Sequence, residues 1–541
     1  MNGSATSKHS LAQEESILLL DEKTSSDIES DAGRAEIATH FSTRRRIWTS
    51  TAMLRGYAHG LRSVPWRSLA LRTAIFLLPS FLQSRFSHDP GLRTVSHRPG
   101  PTAYLDGMRG LAALVVFFCH YFYTCFVIAE GWGFGERNYH ILKLPIIRLF
   151  YQGPPMVCLF FVISGYALSL KPLKLARSRS HEAFTTTMTS FVFRRAFRLF
   201  LPTAASTLLI VFLLRVGLYE WTRAFADDPT YMPNVRETHY RRFDTTSAQL
   251  ADWAWNLFGF FHVWGWEKYG GSMGIDVHLW TIPVEYRASM ALFLTLIGTA
   301  RLKTGLRFLC VGLAMLFTYR SDRWEMLLFF FGMVLAEWDL IRGAHKAAPT
   351  DQSLQQMEMS TPSLLGPIPS APTPPPRGGR RLKTIMWISL SVLALYLMSQ
   401  PDVGYEATPG WRFLSSLIPE WFSNKYRYWQ CVGAVLFVLS VGYSPAWQRF
   451  FNTAVVQYFG RISYALYLMH GPVLHTFGYA TERWMWGITG IEGSAYVWGF
   501  VLASLFVVPM VVWAADVFWR AVDAPTVRFA KWLEVRCSVS D

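Results

Sequence analysis

Apolar stretches of roughly 15 to 25 residues, broken by basic or Pro/Gly segments, recur along most of the chain. They fall at 105–128, 154–170, 199–216, 280–300, 306–319, 324–341, 384–399, 429–443, 454–477 and 494–518. A helix needs roughly 20 apolar residues to cross a bilayer, so the pattern predicts an all-α fold, a polytopic transmembrane helical bundle of about ten spans. One further aromatic stretch, Leu250–Trp266, is ambiguous. With a cytosolic N-terminus, Lys171–Arg198 and its seven Lys/Arg follow two spans and stay inside. If Leu250–Trp266 crossed, the basic linker after Arg342 would fall outside, against the positive-inside tendency. The stretch is therefore read as re-entrant or surface-lying, and both termini as cytosolic.

The polar positions set the remaining boundaries. Residues 1–65 are polar and then Arg-rich, and are read as a disordered cytosolic tail without a signal-peptide h-region. Residues 66–90 hold a short apolar run, Ala74–Leu82, flanked by Arg72 and Arg85, which suits an interfacial helix. The bundle then divides into a first part, 100–342, and a second, 384–530, joined by a Pro/Ser-rich linker, 343–383, that cannot pack. Residues 531–541 form a cytosolic tail. The segment Gly217–Gln249 is long enough to cap a site from outside.

Composition supports the membrane reading. Of 541 residues, 51% are hydrophobic and only 16% charged, against about 25% in an average soluble protein. The net charge of +15 is spread between apolar runs, so topology accounts for it and no nucleic-acid-binding module is recognisable. Five of the six cysteines lie in apolar runs without paired spacing, which indicates neither a disulfide framework nor a metal site.

The first span carries two residues that a membrane helix does not hold without reason, Arg109 and His120. Eleven steps of ~100° end about 20° past three full turns, so both side chains share one face, roughly 16 Å apart along the axis. Arg109 lies near the cytosolic end and its guanidinium suits phosphate. His120 lies about 22 Å along the axis from Leu105, toward the outer half, and imidazole is the side chain whose ordinary pKa suits a base near neutral pH. The alternatives are a snorkelling Arg109 beside Asp106 and a core His120 bonded to a carbonyl. Glu285, early in its span, either supports the His120 imidazole as a carboxylate does in a triad, pairs with Arg287, or caps its helix. Arg194, Arg195 and Arg198 either add to phosphate binding or mark topology. His470 either binds acceptor or packs in the core, and His278 is placed at the outer boundary.

Five stretches in order carry a resemblance: LDGMRGLAALVVFFCH (Leu105–His120), FFVISGYALSL (Phe160–Leu170), FVFRRAFRLFLP (Phe191–Pro202), HLWTIPVEYRASM (His278–Met290) and YFGRISYALYLMHGPV (Tyr458–Val473). With FFFGMVLA (Phe329–Ala336), they resemble the acyltransferase-3 family of integral-membrane acyltransferases over residues 100 to 530 or so. The Arg-x10-His of its first helix is Arg109 and His120 here. Its Trp-Ser-Leu-x-x-Glu pattern appears as Trp280, Thr281, Ile282 and Glu285, and its Gly-Arg-Ile-Ser-Tyr-x-x-Tyr-Leu-x-His as Gly460–His470. The resemblance implies an O-acyltransferase, with acyl-CoA as donor (acetyl-CoA first) and no metal. His120 and Glu285 would be catalytic, Arg109, Arg194, Arg195 and Arg198 would hold the donor, and His470 and Trp280 would meet the acceptor. That acceptor is a hydroxyl on a small molecule, lipid or glycan, with a secondary metabolite favoured because the chain lacks the soluble domain of some glycan-modifying members. The endoplasmic reticulum or plasma membrane suits such a chain. The competing reading is a transporter or acyl-donor carrier using the same intramembrane charges, although no duplicated halves are visible.

Overall fold

All ten apolar segments are helical in the computed structural model, which describes residues 66–86, 100–265, 273–344 and 377–539. The expected tail 1–65 and linker residues 345–376 lie outside the described residues. Two short helices, α1 (Trp66–Leu77) and α2 (Ser80–Phe86), precede the bundle. Then come α3 (Ala103–Tyr123), α4 (Gly153–Arg177) and α5 (His181–Arg215). A peripheral layer follows with α6 (Leu218–Ala226) and α7 (Thr246–Phe261). The next three are α8 (Thr281–Thr299), α9 (Thr304–Arg320) and α10 (Trp324–Arg342). After the linker, α11 (Arg377–Met398) and α12 (Tyr428–Tyr443) run into the short α13 (Pro445–Phe451). The chain closes with α14 (Ala454–Val473), α15 (Tyr479–Thr489), α16 (Ser494–Phe518) and α17 (Ala524–Cys537). Among the described residues there is no β-strand, only two isolated bridges.

Five helices are long and apolar enough to cross a membrane: α3, α4, α5, the described part of α11, and the α16–α17 run. The count is six if α12 and α13, which bend by 98° at Ser444, act as one span. The other segments are helices of 17 to 20 residues that carry ionised groups inside them. In α8, α9 and α10 such charges pair across helices, as an apolar surrounding requires. Arg287 of α8 donates to Glu325 of α10 at 2.9 Å, and Arg307 of α9 meets Glu337 of α10 at 2.9 Å. The ambiguous Leu250–Trp266 stretch contains α7, whose Trp253 indole donates to Thr207 of α5 while Trp255 and Phe258 stay exposed.

α3 is the central rod, contributing Tyr104, Met108 and Val116 to one apolar core and Phe117 and Tyr121 to the other. It lies against α14 through two glycines. A Cβ on Gly110 would stand 2.2 Å from the Gly460 amide nitrogen, and one on Gly460 2.7 Å from the Asp106 carbonyl oxygen. α4 and α10 meet the same way at Gly165 and Gly332. Backbones this close need small residues at the crossing. α10 ends at Gly343, which takes a left-handed φ of +68° while the Ala344 amide reaches back to the Asp339 carbonyl. α1 and α2 dock on α16, where Asp516 accepts from the Ser80 amide and Trp513 donates to the Leu77 carbonyl.

Candidate active site

At one end of the bundle three imidazoles meet. His120 sits in the last turn of α3, His470 near the end of α14, and His278 on the 3₁₀ turn Val277–Trp280 that leads into α8. Ring centroids are 4.2 Å apart for His120 and His278, 5.2 Å for His120 and His470, and 5.0 Å for His278 and His470. Nδ1 of His120 and both nitrogens of His470 are buried and, among the described residues, make no hydrogen bond of ordinary geometry. Unsatisfied buried polar atoms cost about 1–3 kcal/mol each, so these nitrogens are suited to partnering a polar group.

His278 is fixed from both sides. Asp276 Oδ1 accepts the His278 backbone amide at 3.0 Å and its Nδ1 at 2.8 Å, so the carboxylate that caps the turn also orients the ring. On the far side Nε2 faces Glu237 Oε1 at 2.8 Å, from the loop between α6 and α7. Burial alone would disfavour a charged imidazole here, but the Glu237 and Asp276 carboxylates outweigh it and hold His278 well above its ordinary pKa. The other oxygen of Glu237 lies 3.2 Å from His475 Nε2, on a π-helical turn, Leu474–Gly478, that follows Pro472. The three clustered histidines offer ring nitrogens within 4.8 Å of one another, a spacing a metal ion could bridge. His278 spends both nitrogens on carboxylates, so a metal would first have to displace one of them.

Arginines gather toward the other end. Arg109 donates from Nε to Ser463 Oγ at 3.1 Å and pairs with Asp106 at 3.1 Å. Arg195 is committed to Glu285 at 2.8 Å and to Ser289 at 3.1 Å, and Arg194 to Glu534 of α17 at 3.3 Å. Arg198 has no ion-pair partner among the described residues, though Arg109, Arg195, Arg194 and Asp523 all lie within electrostatic reach. It retains accessible surface while protein surrounds it on all sides, as does His120. Tyr464 and Tyr467 of α14 share this combination. These four side chains keep accessible surface and run from the arginines to the imidazoles. Tyr464 is tied to Thr203 and the Leu199 carbonyl, Tyr467 to Thr281 and the His278 carbonyl.

The structure therefore brings His120 and His470 together and places Arg109, Arg195 and Arg198 near one another. It does not bring Glu285 to His120. Glu285 accepts from Arg195 and from Ser164 at 3.1 Å, and stands seven residues beyond His278, roughly 10 Å at helical rise. His120 lies so near the end of α3 that the start of α8, not its second turn, is at its level. Trp280 is partly buried with the Arg427 guanidinium 5.4 Å from its ring centroid. Asp276, Glu237 and His475 were missed by the sequence reading. Only Asp276 left a signal, an Asp two residues before a His at a helix entry.

Fold and site together define a helical membrane protein with clustered histidines toward one end and clustered arginines toward the other. The chain belongs to the acyltransferase-3 family: its acyltransferase domain matches residues 102–520. It is an enzyme that transfers acyl groups. It is 32% identical over 470 residues to the O-acetyltransferase PaAT-1 of Phomopsis amygdali, covering 83% of this chain and 87% of that one. It is 26% identical to acyltransferase R4 of a Phoma species over 471 residues, covering 79% of this chain and 94% of the relative. The same identity holds to acyltransferase clz18 of Cochliobolus lunatus over 478 residues, covering 79% and 96%. No solved structure matches the chain.

Proposed function

We propose that this protein is an integral-membrane O-acetyltransferase that moves an acetyl group from acetyl-CoA to a hydroxyl of a small, largely apolar acceptor such as a secondary metabolite. The observation that carries the reading is the line of side chains with accessible surface from Arg198 and Arg109 at one end to His120 at the other, which we read as a cleft. The arginines hold the donor phosphates, with Arg198 free to do so and Arg195 kept in place by Glu285. The thin pantetheine arm runs past Tyr464 and Tyr467 and brings the thioester to the imidazoles. His120 takes the acceptor's hydroxyl proton as the oxygen adds to the thioester carbonyl. The tetrahedral intermediate collapses with loss of the C–S bond, and the thiolate recovers the proton from His120. His470, with both ring nitrogens uncommitted, hydrogen-bonds the acceptor beside Trp280. All ten apolar helices span the bilayer in this reading, shortened ones included, with both termini and the arginine end cytosolic in the endoplasmic reticulum or plasma membrane.

The test is label transfer. Purified full-length protein is incubated with radiolabelled acetyl-CoA and an organic extract of source cells lacking the protein. Label should enter an extract component and free thiol should appear in equal amount, both lost in His120→Ala. Release of thiol with no labelled product, or transfer undiminished in His120→Ala, would overturn the proposal.

A further inference from the structure

We propose that Glu237, Asp276 and His278 form a single anionic unit that positions His120 and stabilises it when it carries the acceptor's proton, an inference that rests on the acetyl-transfer reading. Both His278 nitrogens face carboxylate oxygens at 2.8 Å. A neutral imidazole has only one N–H to donate, so the trio holds either an imidazolium between two carboxylates or a neutral ring with one protonated carboxyl. Either way the unit's net charge is −1. It touches His120 directly, ring to ring at 4.2 Å and 72°. His470 stacks on His120 at 28°, so the base is clamped between two imidazoles.

His120 itself has no carboxylate on its buried Nδ1. The supporting charge that a triad delivers through a hydrogen bond is supplied here across a ring contact. When His120 gains the proton, a cation forms beside the His278 ring, which opposes it, and the two carboxylates beyond that ring, Glu237 and Asp276, offset both positive charges. The structure holds the unit in place from four elements: the Asp276 turn, the Glu237 loop, the π-turn with His475, and α14. At Gly471 a Cβ would lie 3.2 Å from both Asp276 Oδ2 and His278 Nδ1, so a glycine there leaves the pair its room. The groups facing His120 are His278, His470 and Tyr123 in ring contact, with Glu237 and His475 in electrostatic reach. Those facing His278 are Asp276, Glu237, His120, His470 and His475.

The experiment uses the full chain in lipid nanodiscs, with acetyl-CoA and the acceptor-bearing extract. Glu237→Gln keeps a hydrogen-bonding side chain and takes the unit from −1 to 0. Its kcat should fall about tenfold to a hundredfold, with the acetyl-CoA KM and the affinity for free CoA within twofold. The acidic limb of its rate profile should move to lower pH by about one unit, because a protonated His120 is less well supported. His278→Gln takes the unit to −2 and should move that limb the opposite way. Should His278→Gln not fold, Asp276→Asn replaces it, with the direction expected for Glu237→Gln. Opposite movements cannot come from a merely structural defect. Wild-type turnover with an unmoved profile in Glu237→Gln, or a kcat loss matched by loss of CoA binding, overturns the inference alone. A wild-type protein that transfers no label overturns the acetyl-transfer reading first.

Discussion

Arg198 is the residue whose replacement separates a donor anchor from a topology signal. Its guanidinium lies near three other arginines and the acid Asp523, and pairs with no described residue. Without an anion present, that crowding is repulsive, so Arg198→Ala should leave the unliganded protein as stable or slightly more so. In the proposed reaction, Arg198 would supply a charge-assisted hydrogen bond to the donor's phosphate. Such bonds contribute about 1.5–3 kcal/mol, so the acetyl-CoA KM should rise by about tenfold to a hundredfold, at 1.4 kcal/mol per decade. Neighbouring arginines give controls of different size. Arg194 and Glu534 have side chains 30% and 21% exposed, and an exposed pair of this kind contributes about 0–1 kcal/mol. Arg194→Ala should therefore shift KM by less than about fivefold. Arg195→Ala strips Glu285 of its partner in a mostly buried position and should destabilise the fold by as much as about 3–5 kcal/mol. The assay is thiol release against acetyl-CoA concentration at two ionic strengths, with a thermal melt of each variant. An unchanged KM in Arg198→Ala, or a melt depressed as far as that of Arg195→Ala, refutes the reasoning.

Three other outcomes follow from the geometry. His120→Ala should lower turnover by about 10²- to 10⁴-fold while free CoA still binds, as measured by equilibrium binding on the same preparation. Gly110→Ala would put a Cβ 2.2 Å from the Gly460 nitrogen and 2.4 Å from the Phe459 carbonyl carbon, both rigid backbone. Prying α3 from α14 should cost at least about 1–3 kcal/mol, as overpacking does, and lower activity further than stability predicts, since His120 and His470 ride on those helices. Arg287→Leu should destabilise by about 3–5 kcal/mol by stranding the buried Glu325, whereas Arg287→Leu with Glu325→Leu should recover most of that loss. A double variant no more stable than the single one would show that the pair is not the source.

The helices were legible because apolar length is a local property, and the face shared by Arg109 and His120 because helical rotation is fixed. What hydropathy could not show is that α8, α9 and α10 cancel internal charges across helix pairs, charges that lower the mean hydropathy of these segments. The partner of Glu285 was misjudged among the alternatives for a geometrical reason. Arg287 is two residues on, about 200° around the helix, and so faces Glu325 while Glu285 faces Arg195. The contact between Glu237 and His278 joins residues 41 apart through a loop with no period, and no sequence pattern encodes it. At Gly110 and Gly460 the backbones of α3 and α14 cross in contact, a closeness that only small residues on both sides permit.

Four arginines meet four acids at one end, where the guanidinium without an ion pair among the described residues, Arg198, is what attracts an anion, whereas the other end carries a net negative charge, and this bears on how two substrates reach one site. Arg109, Arg194, Arg195 and Arg198 face Asp106, Glu534, Glu285 and Asp523 at one end, with Arg198 lacking an ion pair of its own. At the other end Glu237 and Asp276 outnumber the one proton-bearing His278 between them. In the proposed reaction a polyanionic donor would be drawn to Arg198 and repelled from the second end, and a low-dielectric surrounding would carry both effects further than water does. Donor and acceptor therefore enter the proposed reaction from opposite mouths, and the thioester meets the hydroxyl only at the imidazoles. The acceptor should accordingly be neutral or cationic: an acceptor carrying a carboxylate near its reactive hydroxyl would face Glu237 and Asp276, and its methyl ester should be acetylated faster. Faster acetylation of the free acid would mean that the charge at the histidine end has been assigned the wrong sign.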